Sequence, residues 1–531
     1  MHDNTKEMIE LLDQYPQYRN DIFKRGFLIT NDDDIDKNQY PFYDNWDVTR
    51  VGDFLFYVHI LQKLYTFENS HKTFFLIGHA YNPFTMEIDE TEILKKIASS
   101  FDISKNNYFN SINELTGLFV IGYIENQNIE IIVDCAGMQG AYYGLIDNKI
   151  YISSHMQMIG DLCDLETDSY VEELVNYKFY KLYGPFLPGD LSTYKELKRL
   201  VPNIVVNFNG HEFVTDRFFP NKELEICKSA DEYEETIKDI GDILHKNMEL
   251  ISKKWDKPAI SMTGGMDSKV TLACTNGLYD RFKYFSYISM VGESIDADAA
   301  HKIANHLGLN HKIYNIPTEN SKFKNLDIIT KIINHSFGNI GNLNQNDMRK
   351  RVYFRDTEDF DVEVKSWVSE IGRANYYKKF GKKRMPKKLT PRNLTTMYKF
   401  FVNNRSLVKK TDNVFEEYRK KYKFGENFSN YDESDMFLWE IRYGAWGGLV
   451  LTGEHRYSYD ITVPYNNRKL IDLLLSLPLE KRISDKCHED IIKVMNEKVD
   501  ELGITITNYN ETKKRMYFEK MYFNINSLIP F

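Results

Sequence analysis

Ser261-Met262-Thr263-Gly264-Gly265-Met266-Asp267-Ser268-Lys269 is the stretch that decides how the second half of this chain is read. Lys257-Pro-Ala-Ile-Ser-Met before it reads as a short buried strand, and Val270-Thr-Leu-Ala-Cys after it reads as the first turns of a helix. Two adjacent glycines at a strand-to-helix turn let the backbone pass close to a ligand and aim its N–H groups at it. The helix N-terminus adds roughly half a positive charge, so the turn suits an anion. Thr263 and Ser268 offer hydroxyl donors for phosphate oxygens, and Lys269 offers a cation. Asp267 beside phosphates makes sense mainly with a divalent cation between them. A plain Gly-Gly turn capped by Asp and Ser accounts for the same residues without any ligand.

Working outward, strand and helix alternate. Ser229-Ala-Asp-Glu opens an amphipathic helix with Tyr233, Ile237, Ile240, Ile243 and Leu244 at helical spacing, running to about Trp255. After the glycine turn come a strand at Phe282-Lys-Tyr-Phe-Ser-Tyr-Ile, a helix over 296–308 and a strand at His311-Lys-Ile-Tyr-Asn-Ile. That alternation predicts a parallel sheet covered by helices, and beyond Asp327 the pattern is mostly helical. The first ~225 residues differ: Thr73–Gly78, Gly117–Ile124, Ile129–Asp134, Lys149–Ser154 and Asn203–Phe208 read as short strands split by turn signals. They predict an α+β region of stacked antiparallel sheets, with helices at Glu92–Ser99 and Tyr170–Tyr180.

A chain of 531 residues implies at least two domains, and its net charge of −9 argues against general nucleic-acid binding. The five cysteines show no Cys-x-x-Cys spacing, so neither a zinc site nor a disulfide framework follows. No apolar run approaches ~20 residues, so no membrane span is expected, nor is a signal peptide; the expected location is cytoplasmic.

The glycine turn resembles the pyrophosphate loop, Ser-Gly-Gly-x-Asp-Ser, of the ATP-pyrophosphatase enzymes, with Thr263 in place of the first Ser. With its flanks, the chain resembles the asparagine synthetase B family, which joins a glutaminase domain to an ATP-dependent amide-forming domain. In the first half, Glu114-Leu-Thr-Gly-Leu-Phe, Asp134-Cys-Ala-Gly-Met-Gln-Gly-Ala-Tyr-Tyr, Ile152-Ser-Ser-His and Tyr194–Asn203 resemble family segments in order. One departure stands out. The family's glutaminase nucleophile is an N-terminal Cys, whereas residue 2 is His2, no cysteine precedes Cys135, and the first strand candidate, Arg25-Gly-Phe-Leu-Ile-Thr, is internal. Without that thiol and its own amine as base, glutamine hydrolysis is not expected.

In the second half, Tyr287-Ile-Ser-Met-Val-Gly-Glu-Ser-Ile-Asp resembles the family's adenine-holding segment, which points to backbone near Tyr287–Ser289. Glu293, Asp296 and Asp298 read more simply as first-turn helix acids. The family motif Ser-Gly-x-Gly-x-Asp is matched by Ser369-Glu370-Ile371-Gly372-Arg373-Ala374, with Ala374 where a metal-binding Asp stands. Either Glu370 replaces that carboxylate, with Arg373 taking phosphate charge, or the two form a structural ion pair. Tyr457–Arg468 and the segment Lys469–Pro478 resemble later family segments. Lys486, Arg482 and Lys493 are each candidates for the family's catalytic Lys. Lys378, Lys379, Lys382, Lys383, Arg384, Lys387, Lys388 and Arg392 cluster in a run without acids, either a solvated face or a basic loop attracting an acidic substrate.

The resemblance implies a glutaminase-like α+β domain over 1–228, built like the N-terminal-nucleophile hydrolases. After it comes an α/β parallel-sheet ATP-pyrophosphatase domain over 229–531 with a helical C-terminal part. It implies ATP and Mg2+ as cofactors, with Asp267 as metal ligand. Ser261, Thr263, Gly264, Gly265, Asp267, Ser268, Lys269, Tyr287, Ser289, Ser369 and Gly372 would bind ATP and pyrophosphate, and Lys486, Glu370 and Arg373 would be catalytic. The implied activity is AMP-forming amide synthesis on a small-molecule or peptide carboxylate. The nitrogen would come from ammonia, a partner protein or a substrate amine, with a homodimer compatible. The alternative is a non-catalytic nucleotide- or peptide-binding descendant.

Overall fold

The structure, a computed structural model, describes residues 2–70, 72–341, 343–402, 404–426, 428–504, 506 and 513–526. Two six-stranded antiparallel sheets form between Phe27 and Arg217. One runs in the order Lys198–Arg199, Tyr142–Ile146, Lys149–Ser153, Phe27–Thr30, Phe54–His59, Trp46–Val51. The other runs Phe213–Arg217, Ile204–Phe208, Asn128–Val133, Thr116–Glu125, Lys72–Tyr81, Leu64–Asn69.

The two-residue alternation of strand side chains explains their stacking. Phe27, Ile29, Phe75 and Ile77 meet Val120, Ile131 and Val206 in a core between the sheets. Their neighbours Leu28, Phe74 and Leu76 point the other way, into the main core that includes Ile93, Leu94 and Ile97 of the helix Glu90–Ile103. Strands buried on both faces read as unbroken apolar runs, as Phe27–Thr30 does. The helix expected at Tyr170–Tyr180 is shorter, Ser169–Val175, followed by a 3-10 turn at Tyr180–Tyr183.

The second half contains a five-stranded parallel sheet in the order His311–Asn315, Lys283–Ile288, Pro258–Ser261, Val362–Val364, Asp460–Thr462. The chain winds outward in one direction from Pro258–Ser261, then returns to its other side for Val362–Val364. That reversal makes a crevice at the carboxyl ends of these two strands, the place where open α/β sheets bind ligands. Among the described residues, no helix is long and apolar enough to cross a membrane.

Four of the eight residues of the basic run are matched by acids brought from elsewhere. Lys378 meets Asp485, Lys382 meets Glu480, Lys379 pairs with Glu519 at 2.8 Å and Arg392 with Asp412 at 2.7 Å. Local sequence hid these partners because each lies at least 20 residues away.

Candidate active site at the sheet's switch point

The glycine turn leaves Pro258–Ser261 and enters the helix Met266–Ala273 at the switch point. A cavity of about 360 Å³ opens there, lined on one side by Ser261, Thr263, Gly265, Asp267 and Ser268. Its other walls come from Ser286 and Tyr287, from Glu293 and Asp296, and from Lys365, Ser366, Trp367 and Glu370. The turn is held open by its own side chains. Ser268 Oγ accepts from Thr263 N at 3.1 Å, Thr263 Oγ1 from Gly265 N at 3.2 Å, and Asp296 Oδ1 from Gly264 N at 3.3 Å. These N–H groups are therefore aimed at acceptors that an incoming phosphate would replace. A Cβ on Gly264 would run into Ile506 and Ala299, so only glycine lets the turn approach them.

Asp267 joins the two loops. Ser369 donates to its Oδ1 at 2.6 Å and Arg373 to its Oδ2 at 2.6 Å, while Arg373 also donates to Asp485 at 2.8 Å. His488 is buried with Nε2 3.6 Å from Asp267 and no hydrogen-bond partner, and burial pushes its imidazole down to about 4. Glu370 accepts from the Tyr443 hydroxyl at 2.7 Å. Burial and then the charge of Asp267 push the Glu370 carboxyl above its ordinary range. Tyr443 belongs to Leu438–Gly447, which is wound as a π-helix, a winding frequent at functional sites. The same segment stacks Trp446 on Trp367 at 5.0 Å.

Lys365 is the cation that sequence reading missed. It follows Val362–Val364 directly, lines the cavity and donates to the fully buried Glu363 at 2.7 Å. Burial pushes the Glu363 carboxyl up, but Lys365, Ser261 and Arg351 together hold it below the ordinary range. No local motif marks Lys365; only the adjacency of its strand to the glycine-turn strand brings it here.

Several expected site residues face elsewhere. Lys269 points away from the cavity, pairing with Asp500 and donating to Ile504 O at 3.0 Å, because it lies on the buried side of its helix. Ser289 donates from N and Oγ to Glu293 Oε2, at 2.7 and 2.9 Å, closing the helix start rather than facing a ligand. Gly372 backs onto Leu474 and its carbonyl accepts from Arg482 at 2.9 Å. Arg482 also pairs with Asp435 at 2.6 Å, a buried structural clamp. Lys486 is half exposed and paired with Asp490 at 2.5 Å on the outer face of Lys486–Asn496, while His488 of the same helix turns inward.

The donor set does not by itself make a magnesium site. Both oxygens of Asp267 are engaged by Ser369 and Arg373, Ala374 supplies no carboxylate, and among the described residues no group of three or more His, Cys, Asp or Glu is placed to hold a metal. In the first half, the residue opening Phe27–Thr30 is preceded by continuous chain, so no free amine sits there. A Cβ on Gly26 would meet Phe23 O at 2.7 Å and Ser154 Oγ at 2.9 Å, which leaves no room for a nucleophilic side chain.

No protein-family model matches the chain, and no curated protein matches it. Among solved structures, the chain is similar to glutamine phosphoribosylpyrophosphate amidotransferase from B. subtilis complexed with ADP and GMP. That alignment has 11% identity and a TM-score of 0.22, covering 57% of this chain and 62% of that one. It is also similar to glutamine-dependent NAD+ synthetase from Acinetobacter baumannii in complex with adenosine diphosphate, at 12% identity and TM-score 0.18, covering 36% and 38%. A third is the NH3-dependent NAD synthetase from Campylobacter jejuni, at 12% identity and TM-score 0.20, covering 39% of this chain and 83% of that one. Likenesses this distant carry no argument about activity, and the chemistry rests on the cavity itself.

Proposed function

We propose that this chain is an ATP-dependent amide-forming ligase, of the asparagine-synthetase-like kind, that works without glutamine hydrolysis of its own. The observation that carries the reading is the convergence, at one switch-point cavity, of the glycine turn with Asp267, Ser369, Arg373, Lys365 and Glu370. ATP fits as substrate: its phosphates would take over the N–H groups of residues 263–265 from their present acceptors on Ser268, Asp296 and Thr263, and Tyr287 would lie on the adenine side.

The substrate carboxylate attacks the α-phosphorus, the bond from that phosphorus to the bridging oxygen breaks, and pyrophosphate leaves on the turn. Lys365 and Arg373 carry the charge that develops there. An amine or ammonia then attacks the acyl carbon and AMP departs. Glu370, its carboxyl held above the ordinary range by burial and then by Asp267 and oriented by Tyr443, takes in its ionised form the proton that the amine sheds.

ATP–pyrophosphate exchange with a panel of carboxylates tests the reading, with Asp267→Ala expected to abolish it. One observation favours the second reading, a non-catalytic nucleotide-binding protein: Asp267 is already neutralised by Arg373. Retained ATP binding without exchange on any carboxylate would decide for it.

A further inference from the structure

The helix Lys513–Asn526 carries Met516, Tyr517, Phe518, Met521, Tyr522, Phe523 and Ile525 around its whole circumference. These residues are not confined to one stripe, and apolar side chains belong in an interior. Its inner side is in one. Phe523 stacks on Phe380 at 4.1 Å, and Tyr522 lies 4.1 Å from Phe400 and donates to Phe401 O at 3.1 Å. Among the described residues nothing covers its outer side: Tyr517 is 71% exposed and Ile525 54%, with Met516, Phe518 and Met521 exposed beside them. Exposed Leu182 extends the patch, since Arg515 donates to its carbonyl at 3.3 Å.

The rim of this patch is cationic. Lys514 and Lys520 are exposed on the helix itself. A Cβ on Gly381 would point at Lys520 Nζ, 3.5 Å away, so the turn carrying exposed Lys383 adjoins it, while Lys382 of the same turn is matched by Glu480. The helix's own acid, Glu519, is buried between Lys379 and Arg515, at 2.8 and 2.9 Å. A chain of net charge −9 thus presents a local face of opposite sign around an apolar centre.

We infer that this face docks an acidic amphipathic segment of a polypeptide, one that carries the group reacting in the cavity. Charge complementarity selects acids at the rim, and the exposed aromatic and aliphatic side chains select apolar residues between them. A second copy of this chain is disfavoured, because a two-fold contact through this face would set lysines against lysines. The face also adjoins the site. Phe380 ends the short helix Asn375–Phe380, which starts just after Arg373, and Lys378 within it shares Asp485 with Arg373. An occupant there sits one helix away from Asp267. The identity of the cargo rests on the ligase reading; the docking itself does not.

The test is selection of peptides from a random library on the full-length protein without ATP. Tyr517→Asp/Phe518→Asp and Lys383→Glu/Lys514→Glu/Lys520→Glu serve as counter-screens. Unchanged ATP affinity in both variants verifies that they fold. Enriched peptides should interleave Asp or Glu with Leu, Ile or Phe, lose about tenfold or more in affinity on each variant, and weaken as salt rises. Three results overturn the inference: no acid-rich enrichment, a variant-sensitive dimer, or variant-sensitive pelleting with phosphatidylserine vesicles in place of peptide binding. Peptide docking without any pyrophosphate exchange would instead sink the ligase reading and leave the docking face standing.

Discussion

Replacing Lys365 by Met separates structural from functional charge in the cavity. Lys365 and Glu363 form a buried pair at 2.7 Å, with Glu363 fully enclosed. Removing one partner of such a pair typically costs about 3–5 kcal/mol. Ser261 and Arg351 remain beside Glu363, so the lower end, about 3 kcal/mol, is expected. The pH dependence should also change sign. In the native protein the Glu363 carboxyl is held below its ordinary value. It therefore contributes stability above the unfolded-state value, lost as pH falls through the folded one. In Lys365→Met, burial dominates and the folded value rises, so stability is full below the unfolded value and lost as pH rises through the raised one. Adding Glu363→Gln should restore stability to within about 1 kcal/mol, since an uncharged pair leaves no buried charge unmatched. ATP affinity should not follow. Loss of a charged donor to phosphate costs about 1.5–3 kcal/mol, roughly ten- to a hundredfold in Kd, in single and double variants alike. Urea unfolding across pH and calorimetric ATP titration measure the two quantities. A double variant that unfolds and binds ATP like the native protein would refute the role assigned to Lys365, leaving it only as the partner of Glu363.

Four further outcomes are expected. Arg373→Met should weaken ATP binding about tenfold or more, whereas chelating free Mg2+ should weaken native binding less than that, by titration in EDTA; the reverse order would restore a metal to the site. Glu370→Gln should keep ATP–pyrophosphate exchange but lose amide formation by about 10²–10⁴-fold. In the native protein, amide formation should rise with pH through the elevated Glu370 value, above the range of an ordinary carboxylate, as the base deprotonates. Gly372→Ala should destabilise by about 1–3 kcal/mol without changing ATP affinity, because the new methyl meets Leu474 Cβ at 2.8 Å. Equal loss of affinity and stability would return Gly372 to the ligand.

The layers were legible in sequence because periodicity is local. The alternation of strand and helix from Lys257 to Ile316 stands in the structure as a parallel sheet, and the short apolar runs before Phe208 as two antiparallel ones. The glycine turn was legible for the same reason: strand, turn and helix lie within sixteen residues, Pro258 to Ala273. What stayed hidden depends on adjacency across the sheet. Lys365 has no motif of its own, and although their segment points to Ser369 and Arg373, it gives no sign of their direct contacts with Asp267, more than a hundred residues away. Lys486 shows the complementary limit. Its facing cannot be read from its charge alone: Lys486 pairs with Asp490, whereas His488, two positions on, is the group turned toward Asp267.

The segments that resemble a family across the two halves touch one another, and this bears on what their presence means. Asn466 donates to Asp134 at 2.8 Å and to Gly117 O at 2.6 Å, and accepts from Ala136 N at 2.8 Å. Arg468 donates to Val133 O, Asp134 O and Asn203 Oδ1 at 3.0–3.2 Å, and Asn467 donates to Glu114 O at 2.7 Å. The motif around Asp134 and the motif around Asn466 are thus two sides of one buried interface, joined by the hydrogen bonds of Asn466, Asn467 and Arg468. Buried polar networks of this kind fix how two layers meet, and a single unpartnered member costs about 1–3 kcal/mol. Their presence therefore follows from assembly of the fold and needs no glutaminase chemistry behind it. It follows that these segments weigh nothing for or against catalysis, which has to be argued from Asp267, Lys365, Glu370 and Arg373, the groups that interface does not use.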